Sequence, residues 1–73
     1  MDNRKKVLRY VIEQELILIL ENAKAGNKYV AKYEFYKFKG IIMYAERMRD
    51  INEEIYWKLY NLSDLIRRKY DLY

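Results

Sequence analysis

Residues 29–48 read YVAKYEFYKFKGIIMYAERM, and the fold turns on how this stretch is taken. At about 100° per residue, Ala31, Phe35, Phe38, Ile42 and Ala45 fall on one line at alternating steps of four and three. That is a heptad-like seam, extended on one side by Val30, Ile41 and Met48. Tyr29, Tyr33, Tyr36 and Tyr44 fall on a separate face, roughly opposite, with Gly40 in its middle. A small surface helix needs only one apolar stripe, so this one has two faces to bury. A narrow arc of Lys28, Lys32, Lys39, Glu46 and Asp50 is left for solvent.

The flanking segments extend the helical pattern. Upstream, Leu8, Ile12, Leu16, Ile19 and Ala23 recur at helical spacing, and Val11 and Leu20 widen the stripe. Asp2 or Asn3 caps this first helix, and Gly26-Asn27 ends it with residues that tolerate a left-handed cap. A hairpin competes for residues 15–39, because Glu15 to Glu21 alternates as a strand would and Ala25-Gly26-Asn27 has turn chemistry. The second run slips by one at Phe35-Tyr36, which would flip every later side chain to the opposite face. The helix is the better account. Downstream, Asn52 is a favoured N-cap, and Glu53 and Glu54 follow in the first turn, where the helix dipole favours negative charge. Ile51 and Tyr56 have the spacing of a hydrophobic staple across that cap. Ile55, Leu59, Leu62 and Ile66 make the core stripe of the third helix, while Lys58, Asn61, Asp64 and Arg68 make its outer face.

Short connections favour antiparallel neighbours. The expectation is an all-α, three-helix up-down-up bundle in a single domain over 1–73, with helices at about 3–25, 28–49 and 53–70. A chain of 73 residues buries only a small core. It has no cysteine and no histidine, so neither a disulfide framework nor a zinc site can reinforce that core. The basic start Arg4-Lys5-Lys6 is not expected to be a signal peptide, because Glu13, Gln14 and Glu15 interrupt the apolar run it would need. The longest strictly aliphatic run, Leu16 to Leu20, is too short for a membrane span. A cytoplasmic protein with no membrane contact is expected. Lys, Ile, Asn and Tyr all have A/T-rich codons, which offers a plain account of nine tyrosines.

Lys39-Gly40-Ile41-Ile42-Met43-Tyr44-Ala45, followed by Asp50-Ile51-Asn52-Glu53-Glu54-Ile55-Tyr56, resembles a helix, a turn and an acidic-capped helix found in many small accessory proteins. Phages and mobile elements of A/T-rich Gram-positive bacteria encode such proteins. The resemblance covers roughly residues 28–60 and carries over no functional residues. It implies a small factor that works by binding host or element machinery.

Catalysis is not expected. The usual general base and thiol nucleophile are missing, and Ser63 has no histidine to activate it. Glu13, Glu15 and Glu21 are metal-ligand types, but the Glu-x-x-His motif of di-iron bundles is impossible here. Gly26 and Gly40 are too far apart to form a phosphate loop. No cofactor, metal or small-molecule substrate is expected. A helix-turn-helix reading head at Asp50-Ile51 would present Glu53 and Glu54 to phosphate, which argues against it.

Two surfaces remain. The tyrosine face of Tyr29, Tyr33, Tyr36, Gly40 and Tyr44 admits three readings: core, protein interface or homodimer contact, or a stacking platform for single-stranded bases. A basic pole collects Lys24, Lys28, Lys32, Arg67, Arg68 and Lys69, opposed mainly by Glu21 and Asp71, and is the phosphate-binding alternative. A net charge of +4 that merely keeps the protein soluble explains the same residues. At the other pole Arg4, Lys5 and Lys6 sit unfavourably in a first helical turn, where pairing with Glu53 and Glu54 would offset them. The expected function is non-enzymatic binding through protein–protein contacts, as adaptor, inhibitor or homodimer, with nucleic-acid binding as the alternative.

Overall fold

A computed structural model describes residues 3–73 and contains three helices: α1 (Asn3–Lys24), α2 (Lys28–Arg47) and α3 (Glu53–Lys69). No strand occurs among the described residues, so the hairpin is not formed. The bundle is all-α and runs up-down-up. The Arg4–Asp50 and Lys37–Glu15 ion pairs fix α1 and α2 as antiparallel. The central helix packs on both neighbours, whereas α1 and α3 barely approach each other. The Cα trace measures 39 × 20 × 14 Å.

All three helices end in the same way. After α1, the N–H of Gly26 donates to the Ala23 carbonyl at 3.2 Å and that of Asn27 to Asn22 at 2.8 Å. After α2, Arg49 donates to Glu46 at 3.0 Å and Asp50 to Ala45 at 2.8 Å. After α3, Asp71 donates to Arg68 at 3.4 Å and Leu72 to Arg67 at 2.9 Å. These crossed pairs satisfy carbonyls that a helix end otherwise leaves open, and they require a left-handed residue at the junction. That residue is Gly26 (φ +83°), Arg49 (φ +63°) and Asp71 (φ +57°) in turn. The second helix therefore stops at Arg47, two residues short of the expected end, because Arg49 has already reversed the chain. The helix-start signals also divide. Asn52 caps α3 by accepting the Ile55 N–H at 2.8 Å, while Asn27 makes no side-chain cap bond on α2. Asn3 is the first residue of α1 rather than its cap, and Asp2 lies outside the described residues.

The core is the α2 seam. Ala31, Phe35, Phe38, Ile42 and Ala45 are all buried, joined by Ile12, Ile19 and Ala23 from α1. Four expectations need correction. Val30 and Met48, expected to extend the α2 seam, are exposed. Val11 is exposed, and α1 instead buries Glu15 on its core side. On α3, Ile55 and Leu62 are exposed, while Ser63 is fully buried with its hydroxyl donating to the Tyr60 carbonyl at 2.8 Å. A serine is small enough to let α3 approach α2 closely, so the helix turns that side inward and Leu62 outward. The arc assigned to solvent on α2 partly faces α3. Lys39 is half-buried, with its Nζ 4.0 Å from the centre of the Tyr60 ring and 4.7 Å from that of Phe35.

Leu72 closes the core from beyond α3, where the left-handed Asp71 turns it inward. The caps are open to test. Gly26→Ala adds a Cβ that meets no neighbour, so its whole cost is the left-handed backbone, about 1–2 kcal/mol. Arg49→Gly relieves that same strain at the cost of chain entropy and is expected to stabilise by roughly 0.5–1 kcal/mol. Urea titration of both variants measures the two opposite signs.

Candidate interaction surface

The rear of α2, opposite its seam, carries the five residues singled out in the sequence. Tyr29 is 89% exposed, Tyr33 64%, Tyr36 58% and Tyr44 63%, and Gly40 is exposed between them. None of the four rings is core, because two neighbours on the front side of α2 cannot also wrap its back. Tyr29, Tyr33 and Tyr36 border a cleft of about 260 Å³ with Lys32 among them. Gly40 and Tyr44 border a second, larger groove of about 550 Å³ that runs between α2 and α1. Val7 and Val11 form its α1 wall, so the exposed face is two helices wide, with Arg4, Lys37 and Asp50 also lining the groove. Met43 and Leu18 are exposed as well. A Cβ built on Gly40 would meet nothing within 4 Å, so packing inside the monomer does not require this glycine.

Behind that face, the α1–α2 seam holds a carboxyl pair. The Glu15 side chain is 8% exposed and that of Glu34 15%. Lys37 Nζ lies 3.2 Å from Glu15 Oε1 and 3.9 Å from Glu34 Oε1. A hydrogen bond from protonated Glu34 to Glu15 raises the Glu34 pKa above its ordinary 4.5, and burial and the Glu15 charge push it the same way. Lys37 is raised in turn by its contact with Glu15. The spacing of Ile12, Glu15 and Ile19 puts Glu15 on the core line. That was the available signal for its burial.

The basic pole is partly assembled and partly neutralised. Lys28 Nζ lies 3.7 Å from Asp71, which brings the end of the chain beside the start of α2. Asp64 takes both arginines, with Arg67 at 2.8 Å and Arg68 at 3.0 Å. Its bond to Arg67 holds its carboxyl below the usual aspartate value. Arg67 also lies over the Tyr73 ring, 4.4 Å from its centre, and Lys69 lies 5.5 Å from that of Tyr70. Asp64 therefore joins Asp71 as a major counter-charge of this pole, a role its outer-face position concealed. Lys24 and Lys28 are exposed, and Lys32 belongs to the tyrosine cleft.

At the opposite pole Arg4 pairs with Asp50 at 3.0 Å, rather than with Glu53 or Glu54; Glu54 pairs with Lys58. On the front, Leu8, Ile12, Leu16, Ile51, Ile55 and Leu59 line a groove of about 340 Å³ where α1 and α3 diverge. No cluster of three metal-ligating side chains exists among the described residues, and no helix is long and apolar enough to cross a membrane. No protein family, curated protein or solved structure matches the chain.

Because folding raises the Glu34 pKa, the native state binds a proton that the unfolded chain releases near the ordinary 4.5. The stability this contributes is complete below that value and is lost as pH rises through the folded pKa. Glu34→Gln keeps a donor toward Glu15 without titrating. It is expected to raise the melting temperature at neutral pH and to flatten its decline above the acid range, as calorimetry across a pH series would report.

Proposed function

We propose that this protein is a non-enzymatic binding module that acts through protein–protein contacts, with the rear face of α2 as its contact surface. The observation that carries this is the solvent exposure of Tyr29, Tyr33, Tyr36, Gly40 and Tyr44 along one side of a helix, with Lys37 and Arg47 exposed beside them. Codon bias accounts for the number of tyrosines but not for their alignment opposite the seam. Tyrosine and methionine are enriched at protein interfaces, and contiguous exposed apolar patches mark such sites. An adaptor or inhibitor of host or mobile-element machinery accords with this reading. Affinity capture from the native host tests it, with Tyr36→Glu as control. Partners recovered by the parent protein are expected to be lost with the variant, and equal recovery would refute the assignment.

One observation favours a second reading. Lys32 sits among Tyr29, Tyr33 and Tyr36, a cation between rings of the kind that stacks single-stranded bases. On that reading an oligonucleotide binds, and its affinity falls steeply with added salt as counterions compete for phosphate. Binding that is indifferent to salt would exclude a phosphate-directed mechanism.

A further inference from the structure

We propose that the front groove between α1 and α3 binds a single-chain anionic amphiphile, a free fatty acid of medium length, with its tail along Ile55 and Leu59 and its carboxylate at Lys5. The site shares none of the tyrosines of the rear face, so it stands or falls independently of the protein-contact reading.

The lining is the first ground. Leu8, Ile12 and Leu16 of α1 form one side, Ile51, Ile55 and Leu59 form the other, and no aromatic ring is among the lining residues. On α3, Ile55, Leu59, Leu62 and Ile66 repeat at the 4-3-4 spacing of a core stripe, yet Ile55 and Leu62 are exposed and Leu59 is half-buried. The third helix thus carries an apolar line patterned for burial that its neighbours leave partly uncovered. Sites for small molecules are clefts of about 300–1,000 Å³, mostly apolar with a few placed polar groups, and this groove has that form.

Shape selects the occupant. From Lys5 to Leu16 the groove follows α1 for about 16 Å, and a volume of about 340 Å³ over that length leaves a mean section of about 20 Å². A channel of that section is roughly 5 Å across, which admits one extended hydrocarbon chain, whereas an α-helix about 10–12 Å in diameter would rest on its rim.

Charge orients the chain. Lys5, Arg9, Glu13 and Asp50 are the polar residues of the lining. Arg9 holds Glu13 at 3.2 Å and Arg4 holds Asp50 at 3.0 Å, while Lys5 has no carboxylate partner among the described ion pairs. Lys5 also lines the hollow beside Arg49 and Asn52, which places it at the α2–α3 turn, the end of the groove away from Leu16. Glu46 shares that hollow without a described ion pair to Lys5. Lys5 stands in the first turn of α1, where no residue is acidic and the helix dipole is positive. A bound carboxylate neutralises this end and offsets the unfavourable placement of Lys5.

Isothermal titration of the full chain with sodium laurate, below its micellar concentration, is expected to show saturable binding of one ligand per chain. Across hexanoate, octanoate, decanoate and laurate, affinity should rise about three- to fourfold per methylene until the groove is filled. Ile55→Trp fills the channel from an exposed rim position, and Lys5→Glu reverses the charge that meets the carboxylate. Each should weaken laurate binding at least about tenfold while circular dichroism reports an intact helical fold. Dodecylammonium should bind at least about tenfold more weakly than laurate, and Tyr36→Glu on the rear face should leave laurate binding unchanged. In the unmodified chain, laurate should shift the methyl NMR signals of Ile55 and Leu59. Absence of saturable binding, an affinity indifferent to chain length, or equal binding of dodecylammonium would overturn the proposal. So would binding that leaves the Ile55 and Leu59 methyls unshifted, or that is lost with Tyr36→Glu but not with Ile55→Trp.

Discussion

A single line of five side chains on α2 has to serve two neighbouring helices. Ala31 and Ala45 let the flanking backbones approach at either end, and Phe35, Phe38 and Ile42 fill the middle. With the seam shared in this way, α1 and α3 contact α2 far more than each other and diverge to leave the front groove between Leu16 and Leu59. The resulting core is one side chain deep. No helix remains to cover the rear of α2, so the exposure of the tyrosines follows from helix count and from where the seam points.

Polar groups within the seam add specificity at some energetic cost. A buried carboxyl pair with one lysine contributes less than apolar packing of equal volume would, because desolvation opposes the Coulomb attraction. Its geometry admits one register of α1 against α2, since sliding by a turn would leave Glu15 buried without Lys37. Arg4 with Asp50 repeats that register at the far end of the pair.

Much of the architecture was legible in the residues. The five positions of the seam were read from its spacing, whereas Val30 and Met48, expected to extend it, are exposed. The exposed cap chemistry of Asn52 was equally direct. Features that depend on where a neighbour sits were not legible. A helical wheel gives the angle of Lys39 but not the presence of Tyr60 beside it, and it ranks Leu62 above Ser63 although close approach favours the smaller side chain. Leu72 lies beyond any periodic pattern, and its burial follows from the left-handed conformation of Asp71. Of the surface residues, alignment of the tyrosines was visible in sequence. The contribution of Val7 and Val11 to the same face was not, because it requires the α1–α2 register.

The three matching helix ends have a consequence for recognition. A left-handed residue locked by two backbone hydrogen bonds leaves little torsional freedom where α1 meets α2 or where α2 meets α3. The connections are residues 25–27 and 48–52, with no slack beyond the caps themselves. The helices therefore present their faces at fixed mutual angles before anything binds. Ordering of loops is a large entropic penalty in many associations, and here most of it has already been met during folding.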